Sequence, residues 1–190
     1  MKNPKKELCP NITEKQYPRD SEGRIIVNMN IKDDTDFLSV FSTSEMPVIS
    51  SEVAEFLEKS TQTIRPNEQL TLQVKSDCID EKEQILYKNA IKEYYKEEYQ
   101  ANQKELSVCN KIAFFLALFG VLVLAFAVFL DYKIGSVIWS EVIDIVAWVF
   151  LWEAVDIKFF KTRELKLKQK RYSAFIDIKI EYVKSKTTAS

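Results

Sequence analysis

The chain contains no histidine, so it lacks the side chain most often used for general acid–base work near neutral pH and the commonest metal ligand. Glycine is nearly as scarce. Gly23, Gly120 and Gly135 are isolated, which leaves no glycine-rich loop to cradle a phosphate. Cys9, Cys78 and Cys109 are odd in number, far apart and without a CxxC pair. They point to reduced thiols, not to a disulfide framework or a zinc site. With no nucleophile–base pair or metal cluster in view, the sequence argues against an enzyme and implies neither cofactor nor metal.

What the chain does have is unevenly distributed. Residues 1–80 carry 10 Lys/Arg against 14 Asp/Glu, and residues 161–190 carry 9 against 3. Between them lies the apolar block Ile112–Phe160. Within it, Ile112–Leu130 (IAFFLALFGVLVLAFAVFL) has nineteen residues and no charge. As a helix it is about 28 Å long, the thickness of a bilayer's hydrocarbon core, and it is expected to be a transmembrane helix. Gly120 lacks GxxxG spacing and is expected to be merely tolerated there.

Val137 to about Ile157 is expected to return as a second span, making a membrane α-helical hairpin. Glu141, Asp144, Glu153 and Asp156 interrupt it, and an acid at a helix centre costs about 2.5–3.5 kcal/mol in insertion. Those acids share their helical arc with Ile145, Trp148, Val149 and Trp152, so the segment has no polar face on which to lie at a surface. Basic residues flank the block at Lys92, Lys96, Lys104 and Lys111 and again at Lys158, Lys161, Arg163, Lys166, Lys168, Lys170 and Arg171, whereas 131–136 offers one Lys. Positive flanks stay inside, so both termini are expected in the cytoplasm and 131–136 outside, with Tyr132 and Trp139 at the outer interface.

Antiparallel packing places residues whose numbers total about 267 at equal depth, which predicts a charge pair between Lys111 and Asp156. Asp144 is left opposite Val123, about 4.5 Å from the midplane, with no cation in reach. Two readings follow: the four acids line a cation path in an oligomer, or they make helix–helix contacts. The seven basic residues after the span are expected to meet anionic lipid headgroups; nucleic acid is not expected.

Ahead of the spans, residues 1–23 hold three prolines and many charges and predict a flexible tail. Residues 24–79 predict a small cytoplasmic α+β module. Its strands are Arg24–Ile31, Phe37–Phe41 and Leu70–Val74, around a helix capped by Ser50 or Ser51 that uses Val53, Phe56 and Leu57 as its apolar face. Asp33, Asp34 and Asp36 lack the pattern of a calcium loop and predict a solvated turn. Asp80 can cap a long helix over 80–111, with Tyr87, Ile91, Tyr94, Tyr95 and Tyr99 packing on the sheet. From 158 to 190 a basic cytoplasmic tail is expected to be helical, although Phe175–Tyr182 (FIDIKIEY) also alternates like a strand.

Three stretches, DFLSVFSTSEMPVISSEVAEFLE (Asp36–Glu58), SDCIDEKE (Ser76–Glu83) and IWSEVIDIVAWVFLWEAVDI (Ile138–Ile157), resemble an uncharacterised group of small bacterial two-span membrane proteins. The resemblance implies that architecture and a bacterial source, and assigns no activity or site residue. The expected function is a multi-pass accessory or regulatory protein of the bacterial plasma membrane, presenting its module to an unidentified protein partner or small ligand. The alternative is a homo-oligomeric, ion-conducting pore.

Overall fold

A computed structural model of the chain describes residues 17–43, 45–134 and 137–184. Residues 1–16 of the expected tail, Cys9 among them, the loop residues 135–136, the side chain of Trp139 and residues 185–190 lie outside that description.

Three strands form one parallel sheet, β1 (Ile25–Asn30), β2 (Leu70–Lys75) and β3 (Lys179–Val183), with β2 in the centre. The register aligns Val27 with Leu72 and Leu72 with Ile180. Because side chains alternate along a strand, Ile25, Val27, Met29, Leu70, Leu72 and Val74 share one face, and all are buried. Leu57 of α1 (Ser51–Thr61), Ile91 and Tyr95 of α2 (Glu81–Ile134) and Phe175 of α4 (Thr162–Ile176) complete the same core. The opposite face is polar, with Asn28 exposed and Gln73, Lys179 and Glu181 half-buried, a division more usual in antiparallel sheets.

Both helix starts follow from their caps. Ser50 Oγ accepts from Val53 N at 3.4 Å. Asp80 Oδ1 accepts from Glu83 N at 2.8 Å while Glu83 Oε2 accepts from Asp80 N at 2.8 Å, a reciprocal box that satisfies two otherwise orphaned donors. The buried face of α1 is Ala54, Leu57 and Thr61, rotated from the expected Val53, Phe56 and Leu57, so Phe56 is left on the surface.

Four expectations are corrected. Phe37–Phe41 is not a strand; Leu38 makes one antiparallel bridge to Ile49, and Phe37 stacks on Tyr87 at 4.2 Å. Residues 17–23 are not a loose tail but an arm along the sheet, where Pro18 O accepts from Ile26 N at 2.8 Å and Asp20 Oδ2 from Thr71 Oγ1 at 2.7 Å. Residues 131–134, expected in a loop, continue α2. The basic tail is helical only to Ile176; Lys179–Val183 is β3, because Ile178, Ile180 and Tyr182 alternate toward the core and the free edge of β2 supplies the pairing.

Candidate functional site

Helix α2 runs 54 residues, about 80 Å, from the sheet to Ile134. α3 (Val137–Asp156), a π-helical turn (Ile157–Lys161) and α4 return beside it. Lys158 Nζ donates to Asn110 Oδ1 at 2.8 Å, Asn102 Nδ2 donates to Leu165 O at 2.9 Å, and Phe119 meets Phe150 edge to face at 4.9 Å. Facing numbers therefore total 268, 267 and 269, the register of the antiparallel hairpin.

The seam of this hairpin is made of small residues. Cys109, Ala113, Gly120 and Ala127 of α2 are buried against Ala147 and Ala154 of α3, at the three-and-four spacing of supercoiled helix pairs. Gly120 is more than tolerated: a Cβ there would stand 2.9 Å from Leu151 Cγ and 3.3 Å from Ala147 O. Close backbone approach requires it. Large side chains point the other way, with Phe114 and Phe115 each 65% exposed and Trp152 71%.

The π turn adds one residue to the return strand of the hairpin and rotates its inward face. Regular spacing from Ala147 and Ala154 would bring Lys161 inward. Instead Thr162 and then Leu165 are buried, and Thr162 Oγ1 donates to Ile157 O at 3.1 Å. The exchange keeps a lysine out of the seam.

The four acids do not converge. Glu141, Glu153 and Asp156 are exposed, and Asp144 is half-buried at the flank of the seam with no hydrogen bond or ion pair among the described residues. The Lys111–Asp156 pair is not formed: both side chains are exposed, because Ala113 and Ala154 take the inward positions at that depth. Lys158 crosses to Asn110 instead, and Lys161 reaches Glu105 at 4.0 Å.

The basic residues also separate. Arg163 and Lys166 are exposed, Lys168 pairs with Glu164 at 3.1 Å, and Lys170 lines a cleft of about 580 Å³ with Arg24. Arg171 is half-buried in the sheet domain, where its Nη2 donates to Gln62 O at 3.2 Å. It lies about 20 Å along the helix from Lys158, too far for the two to share one headgroup layer.

Toward the sheet, the tyrosine stripe is structural. Tyr95 is fully buried and stacks on Phe175 at 4.2 Å. Among the described residues its hydroxyl has no hydrogen-bond partner, and burial raises the pKa of that phenol. Tyr87 OH donates to Asp34 Oδ2 at 2.9 Å, which gives the acidic turn a structural use; among the described residues no His/Cys/Asp/Glu group could hold a metal. The sequence pattern does not single out Asn102 or Asn110, whose side chains bridge the two helices. Asn102 stands seven residues from both Tyr95 and Cys109, and that spacing was the available signal for an inward polar residue.

Among the described residues α2 is the one helix long and apolar enough to cross a membrane. Only 17% of its most apolar stretch is buried within the protein, far from what a core helix of a soluble domain requires. Comparison of the chain with protein-family models, curated proteins and solved structures finds no match.

Proposed function

We propose that the protein is a two-span membrane accessory or regulatory protein whose hairpin fixes a cytoplasmic α/β domain to a bilayer, where that domain meets a protein partner or small ligand. The observation that carries this reading is the reversal along α2: large side chains face outward beyond Lys111, and a small-residue seam joins that stretch to α3. α3 pairs along the apolar length of α2, which supports a span by both, and its acids at either end can reach the interfaces. The basic flanks support cytoplasmic termini. The resemblance noted above supports a bacterial plasma membrane.

The domain has a surface suited to a partner. Phe37 stacks on Tyr87 near the start of α2, whereas Phe175 stacks on Tyr95 nearer the hairpin. The loop after β1 therefore lies at the end away from the hairpin, with Val40 90% and Phe41 88% exposed.

Cysteine labelling tests the topology. A Tyr132→Cys variant should react with a membrane-impermeant maleimide on intact cells, and the exposed Cys78 only after permeabilisation; equal reaction of both on intact cells overturns it. In-cell crosslinking from Phe41 should then recover one specific partner, and its absence from an expressed, folded protein counts against the accessory role. Asp144, half-buried and unpaired among the described residues, favours the second reading, an oligomeric cation pore. Ion flux in liposomes that Asp144→Asn abolishes would establish it, and a sealed monomer or dimer would exclude it.

A further inference from the structure

A groove of about 330 Å³ opens on the side of the hairpin at the cytoplasmic end of its apolar stretch. Its floor is Ala113, Ala117 and Ala154, and Phe114 and Phe159 form walls. At one end stands Lys158, whose hydrogen bond goes to the neutral Asn110 side chain at 2.8 Å. Among the described residues Lys158 has no anionic partner. The groove thus joins an apolar trench to a cation without a counter-charge.

Those two features select an amphiphile with an anionic head. We infer that the groove holds one acyl chain of an anionic phospholipid, with its phosphate on Lys158 and Asn110. This rests on the hairpin reading, which puts the trench in hydrocarbon and Lys158 at the headgroup level, where a lysine on a long stem is favoured. The volume lies at the lower end of small-ligand cavities and admits part of one chain. A helix of a second copy, about 10–12 Å across, would have to displace Phe114 and Phe159. It would also have to bring its own anion to Lys158.

Asn110 adds specificity. Its amide can donate to a phosphate oxygen once Lys158 turns from its carbonyl, so the present Lys158–Asn110 bond keeps both groups at the mouth. Lys161 lies one turn further along, 4.0 Å from Glu105, and is already partly neutralised. Among the residues that line the groove, Lys158 is the one cation.

The test uses the full chain purified from membranes and measured by native mass spectrometry in an equimolar mixture of phosphatidylglycerol and phosphatidylcholine. The wild type should keep one phosphatidylglycerol per chain, at least fivefold over phosphatidylcholine. Lys158→Gln should bring that ratio near one, Ala117→Phe should remove the adduct, and Lys170→Gln, far along α4, should change neither. Millimolar inorganic phosphate should not displace the lipid, since the chain supplies much of the binding; displacement by phosphate alone reduces the site to a headgroup contact and overturns the acyl groove. An equal ratio in the wild type, or an adduct untouched by Lys158→Gln, overturns the proposal. So does a dimer that Ala117→Phe dissociates without any lipid adduct. If Ala117→Phe does not fold, Lys158→Gln, an exposed change, decides alone. Carbonate extraction separates the two readings: a chain released from membranes defeats the hairpin, whereas a retained chain without lipid preference defeats only the groove.

Discussion

The two halves of α2 are built inside out relative to each other. Over the sheet, Tyr87, Ile91 and Tyr95 point inward while Lys88, Glu93 and Lys96 face out. Past Lys111 the inward positions hold Ala113, Gly120 and Ala127, and the phenylalanines face out. One continuous helix thus solves opposite problems. In water the largest apolar side chains gain most by burial, at about 25 cal/mol per Å². In an apolar surrounding no such gain exists, and close backbone packing of small residues becomes the source of cohesion. The inversion falls between Glu105 and Ile112, near the π turn that rephases the returning helix.

The comparison is broken most severely by removing an inward aromatic from the sheet half. Tyr95→Ala should cost about 3–5 kcal/mol, because the ring is fully buried and stacked on Phe175. The same truncation at Phe115, outward in the hairpin half, should leave the unfolding of the sheet domain within about 0.5 kcal/mol of wild type. Chemical denaturation followed by circular dichroism would read both; similar losses at the two sites would refute the inversion.

A charge placed outward reverses the ranking. Val121→Lys, outward at the middle of the apolar stretch, should disfavour membrane insertion by about 2.5–3.5 kcal/mol, whereas a lysine at the exposed Asn89 of the sheet half should be neutral. A glycosylation-reporter insertion assay measures the first, and unchanged insertion would argue that the hairpin half faces water.

Filling the seam is expected to have a smaller effect. Gly120→Leu must push Leu151 and the Ala147 carbonyl apart, at about 1–3 kcal/mol for overpacking. Disulfide trapping between cysteines placed at Ala113 and Ala154 should fall in that variant. Unchanged trapping would mean that the two helices do not depend on that approach.

How much of this was legible varies with the range of the cause. Ser50 and Asp80 announce helix starts because a cap acts within three residues, and Leu70, Leu72 and Val74 announce a strand because alternation is local. Ile112–Leu130 is readable from composition alone. β3 was not, since the strand-like alternation of Ile178, Ile180 and Tyr182 follows a run of good helix formers, and the deciding partner, β2, lies a hundred residues earlier. The Lys111–Asp156 expectation failed for another reason: equal depth fixes which residues are level, but not which way they face. Nothing in the sequence marks the π turn, whose signature is only a one-residue slip between Ala154 and Thr162.

Titration tests the comparison most gently, since the carboxylates with lowered pKa values lie in the sheet domain. Asp20 accepts from Thr71 Oγ1 at 2.7 Å, Arg24 N at 2.9 Å and Glu22 N at 2.8 Å, and the Thr71 hydroxyl above all holds it below its ordinary 3.8. Glu22, bonded to Lys179 of β3 at 3.1 Å, is lowered too. Lowered carboxylates contribute stability that is present above their unfolded values and lost as pH falls through the folded ones. The sheet domain should therefore lose melting temperature as pH drops below about 4, and Asp20→Asn should flatten that decline by giving up, at pH 7, the stability that the ionised carboxylate contributes there. Helical signal from the hairpin half should stay constant over the same range. Its seam is held by alanines and glycine, which have no proton to exchange, so a parallel acid loss in both halves would mean that the two are one cooperative unit, not two kinds of packing on one helix.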